Sequence, residues 1–160
     1  VVIMSNGVVE QVGRPQTIYN QPRNRFVAEF IGGKNIITGT VSGQSGDGSL
    51  LVESAHGTFQ IAASADSGPA AQSGTEVTVC VGADRIDFVD DMADTRNQLA
   101  CRIVSEEFVG SMVTVYLETE SGLELQVQRP YVEWSDSLLK KGGNVRIAWE
   151  AEAARLLDAD

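Results

Sequence analysis

The pattern of apolar and polar residues changes near residue 34. Residues 35–160 contain short runs in which apolar and polar residues alternate, such as "EVTVCV" at 76–81 and "MVTVYLET" at 112–119. Glycine-rich segments such as "SGQSGDGS" separate these runs. Alternation indicates half-buried strands, and many short strands joined by glycine-rich turns are typical of antiparallel barrels or sandwiches. We therefore predict a mostly β, antiparallel fold for this part of the chain.

Residues 1–33 have a different pattern. The β-branched runs of "VVIMSNGVVEQVG" flank Asn6-Gly7, a pair that favours a tight hairpin turn. Two short helices are predicted after this hairpin: one begins at Pro15 and ends before Pro22, and the other is capped by Asn24 and ends at Gly32-Gly33. Helices this short do not persist alone in water. We therefore expect both to lie on another surface of the protein.

Two spaced motifs recur along the β region. Asn35–Val41 aligns with Asn97–Ile103 at an offset of 62 residues, and Gly74–Val79 aligns with Gly142–Ile147 at an offset of 68. This internal repeat predicts that residues 34–160 form two related β modules, at about 34–90 and 95–150. The last residues, "AEAARLLDAD", predict a frayed helical or irregular end.

The charge of the chain is unevenly distributed. The formal net charge is -10, whereas residues 1–34 contain four basic and two acidic residues, so the remainder carries -12. Nucleic acids bind through neutralisation of phosphates by Lys and Arg, so this acidic body argues against nucleic-acid binding. No apolar run approaches the roughly 18 residues that a membrane-spanning helix needs.

No catalytic motif is recognisable in these 160 residues. His56 is the one histidine, and Cys80 and Cys101 lack CxxC spacing, so we predict no metal site and two buried, reduced thiols. Five aspartates lie within eleven residues: Asp84, Asp87, Asp90, Asp91 and Asp94. Their spacing is not that of a calcium loop, and we interpret them as a solvated connector between the modules.

Spaced residues in the N-terminal segment match a known family. They are Gly13, Pro15, Tyr19, Pro22, Phe26, Phe30, Gly32 and Asn35. This pattern resembles the C-terminal end of the ATPase domain of ATP-binding-cassette (ABC) importers, and "VVIMSNGVVEQVG" looks like the last strand pair of that domain. The chain departs from the family pattern at Arg14, where Ser or Thr is usual. The resemblance implies that residues 1–33 are the tail of a nucleotide-binding domain.

A second resemblance covers the β region. Its motif positions include Asn97, Gly110, Gly122 and Trp149. They resemble the TOBE (transport-associated OB-like) regulatory domain of the same ATPases, which implies tandem OB-like barrel modules within residues 34–160. The chain has Ala83-Asp84-Arg85 where the family usually has Arg-Pro-Glu, which places any role of that turn in doubt.

The two resemblances together imply a function. The chain is similar to the regulatory and dimerisation part of the ATP-binding subunit of a bacterial solute importer, at the cytoplasmic face of the inner membrane. The segment "FIGGKN" favours polyamine import, with iron or phosphonate as alternatives. Implied partners are a second copy of the subunit, transmembrane permease subunits, and a small-molecule or protein regulator.

The resemblance assigns no catalytic or cofactor-binding residue to this chain. In the family, the ATP and Mg²⁺ sites belong to the nucleotide-binding domain that would precede Val1 in a full-length parent. We therefore expect residues 1–160 to have no enzymatic activity of their own. The alternative function is a free small-oxyanion-binding protein, a class that also uses doubled OB-like modules, although the acidic body of this chain disfavours it.

Overall fold

Residues 1–33 form a β-ribbon followed by two short helices, as predicted. The structure, a computed structural model, describes residues 1–62, 72–90, 97–131 and 142–158. Strands β1 (Val2–Ser5) and β2 (Val8–Val12) pair across a turn in which Asn6 and Gly7 have φ angles of 48° and 81°. Helices α1 (Pro15–Asn20) and α2 (Arg25–Ile31) follow.

The two helices begin differently. The side chain of Asn24 accepts a hydrogen bond from the backbone N–H of Val27 at 3.0 Å, so the predicted cap of α2 is confirmed. Arg14 precedes α1 without a side-chain cap, and Pro15 begins that helix. Both helices bury apolar side chains against the ribbon, in a cluster of Ile3, Ile18 and Val27.

Most of the remaining residues lie in two sheets. The first half of the chain supplies β3 (Lys34–Gln44), β4 (Leu50–Ser54), β5 (Gly57–Ile61), β6 (Glu76–Gly82), a 3-10 turn (Ala83–Arg85) and β7 (Asp87–Val89). The second half supplies β8 (Asn97–Val109), β9 (Met112–Thr119), β10 (Glu124–Pro130), β11 (Asn144–Trp149), a 3-10 turn (Ala151–Ala153) and β12 (Ala154–Leu157). The elements follow the same order in both halves.

The halves exchange their last strands. The first sheet has the order β12-β6-β3-β4-β5, and the second has the order β7-β11-β8-β9-β10. Thus the short strand that follows each 3-10 turn joins the sheet of the other half, and all the pairings are antiparallel. The mostly β fold class with tandem OB-like modules is confirmed.

The predicted frayed helical or irregular end was wrong for residues 154–157. Residues 154–157 form β12, in which Arg155 pairs with Cys80 of β6, and Ala154 and Leu157 are buried. The segment "ARLL" has too few alternating positions to indicate a strand. Its strand conformation comes from the free edge of β6, which supplies backbone partners about 75 residues away in sequence.

Asn35 and Asn97, the residues that open the predicted repeat, make equivalent contacts. Asn97 accepts a hydrogen bond from the backbone N–H of Gln60 at 2.6 Å and donates to its carbonyl at 2.8 Å. Asn35 does the same to Gln126, at 2.7 and 2.9 Å. Gln60 and Gln126 lie in β5 and β10, each of which is one of the two outer strands of its sheet. Each Asn therefore occupies the place of a neighbouring strand at the outer strand of the opposite sheet.

The core lies between the two sheets. Val41, Val52 and Ile61 of the first sheet and Val115, Val127 and Ile147 of the second are among its fully buried members. Trp149, one of the motif positions, is 3% exposed and its ring lies 5.2 Å from that of Phe59. One continuous cluster spans both halves. The halves therefore share a single core, as the exchanged strands require.

The two cysteines are free and buried, as predicted. Burial raises the pKa of Cys80 and that of Cys101 to about 11, although Lys34 and Arg155 partly oppose the rise at Cys80. An unfolded thiol ionises near pH 8.5. Above that pH the unfolded state releases protons that the folded state retains.

We expect this difference to make stability depend on alkaline pH. The stabilising contribution of the protonated thiols is complete below about pH 8.5, the unfolded pKa, and is lost as the pH rises towards 11. Urea unfolding under reducing conditions should give a steeper loss of stability over this range for the native chain than for a Cys80→Ala, Cys101→Ala double variant. Equal slopes would contradict the expectation.

Candidate functional site

Three polar residues connect helices α1 and α2, which we call the helical segment, to the two packed sheets, which we call the barrel. They are Tyr19, Lys34 and Asp84. The Tyr19 hydroxyl donates to Asp84 Oδ1 at 3.4 Å, and Lys34 Nζ lies 3.7 Å from the centre of the Tyr19 ring. Burial lowers the pKa of Lys34 and raises that of Tyr19. A partly desolvated ammonium over an aromatic ring is an attractive contact. We call this contact between α1 and the first sheet the junction.

Arg129 of β10 holds the 3-10 turn beside the junction. Its guanidinium donates to the carbonyl of Asp84 at 3.2 Å, to the carbonyl of Ile86 and to the carboxylate of Asp87. The Arg129 side chain is 18% exposed. A planar guanidinium can donate several bonds at once, so one side chain fixes the turn that precedes the exchanged strand β7.

Replacing Arg129 with Met should destabilise the chain by about 1.5–3 kcal/mol, because the carbonyl of the buried Ile86, the carbonyl of Asp84 and the Asp87 carboxylate lose a charged donor. Arg102→Met is the control, since the Arg102 side chain is 57% exposed and pairs with Glu118 on the surface. We expect the control substitution to lower the free energy of unfolding by less than about 1 kcal/mol. Urea unfolding monitored by circular dichroism measures both, and equal losses would contradict the role of Arg129.

The glycine pair between the helices and the barrel is held in place by hydrogen bonds and by packing at Gly33. Gly32 and Gly33 have φ angles of 74° and 63°, in the left-handed region that favours glycine. The Gly33 carbonyl accepts a hydrogen bond from the N–H of Ala83 at 2.8 Å. A Cβ on Gly33 would lie 3.5 Å from Gln128 Oε1. The backbone between α2 and β3 is therefore hydrogen-bonded to the 3-10 turn at Ala83–Arg85, which Arg129 also contacts.

A second contact joins the helical segment to the end of β12. Arg23 forms a salt bridge with Asp158 at 2.9 Å, and the N–H of Asp158 donates to the carbonyl of Arg23 at 2.8 Å. Both side chains are mostly exposed, so the ion pair alone contributes little. Together with the junction, it holds the helices at two separate points of the first sheet.

The other motif positions of the N-terminal segment are structural. The N–H of Gly13 donates a hydrogen bond to the carbonyl of Val1 at 3.0 Å, and Pro22, which lies between the two helices in sequence, is buried. Phe26 is half-buried and its ring centre lies 6.1 Å from that of Phe30. Phe30 itself is 68% exposed.

The remaining motif positions lie at turns of the second sheet. Gly110 and Gly122 have φ angles of 60° and 83°, and they lie in the β8–β9 and β9–β10 turns. Phe108 is exposed beside the first of these turns, and its ring centre lies 4.9 Å from that of Tyr131.

The aspartate cluster does not form a cation site in the described part of the chain. Asp91 and Asp94 lie outside the described residues. Asp87 pairs with Arg129 and Asp84 accepts from Tyr19, so these two carboxylates have separate partners. Among the described residues, no group of three His, Cys, Asp or Glu could hold a metal ion. In the same residues, no helix is long and apolar enough to cross a membrane.

Comparison with protein families identifies the second half of the chain. Residues 84–157 match the model of the TOBE domain, which begins at the turn held by Arg129 and ends with β12. The matched segment includes β7 to β11, which form the second sheet, and β12, which joins the first sheet.

Curated relatives extend the match to nearly the whole chain. A spermidine/putrescine import ATP-binding protein PotA of Pseudomonas fluorescens is 32% identical over 98% of this chain and 41% of the relative. The PotA of Rubrobacter xylanophilus is 30% identical over 98% of this chain and 40% of the relative. The chain therefore spans about 40% of the length of these relatives. The predicted resemblance to ABC importer ATP-binding proteins that carry a TOBE domain is confirmed.

A solved structure has the same fold. The cytoplasmic molybdate-binding protein ModG, solved with molybdate bound, aligns with a TM-score of 0.68 over 76% of this chain and 94% of that protein. The sequence identity is 20%, so this similarity concerns the fold alone.

Sequence reasoning missed several residues that the site depends on. In the sequence, Lys34 contributes only to the count of basic residues. Gln60 and Gln126 could not be recognised from their side chains, because their backbone groups make the hydrogen bonds to Asn97 and Asn35. Arg129 lies before Pro130 and Tyr131 at the end of an alternating run, which marks the end of a strand but not the turn it binds.

Proposed function

We propose that this chain is the regulatory and dimerisation part of the ATP-binding subunit of a bacterial ABC importer of the polyamine type. The observation that carries the proposal is the match over 98% of the chain to import ATP-binding proteins whose names specify spermidine and putrescine. In this proposal, ATP and Mg²⁺ bind elsewhere in the full-length subunit, and permease subunits hold it at the cytoplasmic face of the inner membrane.

The geometry supports a regulatory role. The helical segment contacts the first sheet through Lys34 and Asp84 and through Asp158, and the glycine pair is bonded to Ala83. A displacement of the ATPase domain would therefore reach the barrels through contacts and not through a loose linker. Regulation additionally requires two states with different affinity for a regulator or partner.

Dimerisation gives a prediction for the chain itself. A symmetric pair of the 17.1 kDa chains is expected in solution, since closed two-fold pairs are the commonest assemblies. Sedimentation equilibrium at several concentrations should give a mass that rises towards twice that of the chain. A single mass equal to that of the chain at every concentration would contradict the dimerisation role.

The substrate class is tested on the binding protein that delivers substrate to the importer. Calorimetric titration with spermidine, putrescine, ferric citrate and sugars should show tight binding of a polyamine. Tight binding of sugar alone would exclude the polyamine assignment.

The similarity to ModG favours one alternative, a free protein that binds small oxyanions. The net charge of -10 opposes it, because anions need cationic or donor-rich sites. A thermal-shift measurement with molybdate, tungstate and sulfate separates the two functions. A ligand at 100 times its Kd would add about 2.7 kcal/mol of stability, and we expect no such shift.

A further inference from the structure

An open cavity of about 570 Å³ lies beside the junction. Asn20 and Pro22, from the helical segment, form one side, and Gly82 and Trp149, at the ends of β6 and β11, form another. This volume is within the roughly 300–1,000 Å³ of small-molecule sites. The cavity therefore touches the helical segment and both sheets at once.

The floor of the cavity is cationic. Arg155 and Ile36 both pair with Cys80, and Lys34 lies two residues before Ile36 in the same strand. Paired residues and alternate residues share one face of a sheet, so Lys34, Cys80 and Arg155 all lie on the outer face of the first sheet. Within the described residues, neither Lys34 nor Arg155 forms a salt bridge. Two cations thus flank the Cys80 thiol, and the Asp84 carboxylate, which also lines the cavity, acts on Lys34 without forming a salt bridge to it.

The rim of the cavity carries most of the acidic groups. Glu150 and Glu152 lie on the connector between β11 and β12, and neither pairs with a cation of the described residues. Two further carboxylates of the lining already have partners, since Asp87 is bound by Arg129 and Asp84 accepts from Tyr19, and Arg85 adds one cation to the rim. Such a rim repels a ligand that carries only negative charge and attracts an ammonium group.

We propose that this cavity binds a small zwitterion of the amino-acid class. Its carboxylate or other anionic group contacts Lys34 and Arg155 on the floor, and its ammonium group faces Glu150 and Glu152 on the rim. Charge-assisted hydrogen bonds at both ends give the site its selectivity, since a ligand with one kind of charge can satisfy only half of it.

A ligand in this position would bridge Asn20 and Pro22 to both sheets. It would therefore favour the state in which the helical segment is docked on the barrel. That consequence for the ATPase rests on the proposed function, whereas binding itself does not. Binding by the isolated chain can thus succeed or fail independently of any role in transport.

Calorimetric titration of the chain tests the site. The probes are the twenty standard amino acids and 4-aminobutyrate, with acetate, sulfate, molybdate and spermidine as ligands of a single charge sign. We expect at least one zwitterion to bind with a Kd below about 1 mM, and every single-sign ligand to bind at least about tenfold more weakly. Absence of zwitterion binding, or stronger binding of an anion or of spermidine, would overturn the proposal.

Substitutions of cavity residues test whether the zwitterion binds in the cavity. Arg155→Gln and Glu152→Gln should each weaken the bound zwitterion by at least about tenfold, because each removes one charge-assisted contact. Arg102→Gln is the matched control, since Arg102 lies in the second sheet and pairs with Glu118. Circular dichroism and the melting temperature of the unligated variants establish that they fold. Unchanged affinity in both cavity variants would also overturn the proposal.

Discussion

Replacing Asn97 with Ala is expected to lower the free energy of unfolding by about 2–6 kcal/mol. The Asn97 side chain is fully buried and satisfies both the N–H and the carbonyl of Gln60. Its removal leaves two backbone groups of an outer strand without a partner, and each such group costs about 1–3 kcal/mol. Urea unfolding followed by circular dichroism measures the loss.

Two further variants make this result specific. Asn144→Ala, at an exposed position of β11, should change stability by less than about 0.5 kcal/mol. Asn97→Asp keeps the shape of the side chain and the acceptor for the Gln60 N–H, but it cannot donate to the Gln60 carbonyl and buries a charge. We expect it to be at least as unstable as Asn97→Ala. A loss below about 1 kcal/mol in both Asn97 variants would contradict the role given to the side chain.

Replacing Gly39 with Ala is expected to cost about 3 kcal/mol, at the upper end of the range for overpacked cores. A Cβ at this position would lie 2.5 Å from the carbonyl oxygen of Glu53 and 2.6 Å from Val52 Cγ1. The first of these contacts is with backbone, so β3 and β4 would have to separate. The expected result is a lower midpoint of urea unfolding with little change in the slope.

Gly43 provides the control for this substitution. It lies in the same strand, has no neighbour within 4 Å of its would-be Cβ, and needs no positive φ. Gly43→Ala should therefore be neutral within about 0.5 kcal/mol. If the two variants were equally stable, the close approach of β3 and β4 at Gly39 would be wrong.

The strands and turns of this fold could be predicted because they leave local signals. Alternation identified runs such as 76–81 and 112–119, and both lie within strands of the structure. Asn6-Gly7 predicted the ribbon turn, and Asn24 predicted the cap of α2. Each signal depends on residues within one turn or one strand.

The exchange of β7 and β12 could not be predicted from the sequence. Both strands are short, and each pairs with a strand of the other half. A local pattern contains no information about which free edge a strand will join. The same holds for Asn35 and Asn97, which the repeat selected, although their partners Gln126 and Gln60 could be found only in three dimensions.

The candidate site is harder to predict for the same reason. The junction and the cavity combine residues of α1, β3, the 3-10 turn at Ala83–Arg85 and β12. Lys34 and Arg155 lie at opposite ends of the β region in sequence, and only the pairing of β12 with β6 places both beside Cys80. Sequence spacing therefore gave no sign of a cationic floor.

The most direct test of the proposed function uses the importer to which the proposal assigns this chain, purified with its permease subunits and reconstituted in vesicles with its binding protein. If the chain is part of a polyamine-type ATP-binding subunit, it copurifies with the permease subunits, and binding protein loaded with spermidine or putrescine stimulates ATP hydrolysis and uptake. A chain that does not associate with permease subunits, or an importer whose ATP hydrolysis responds to neither polyamine, would contradict the account.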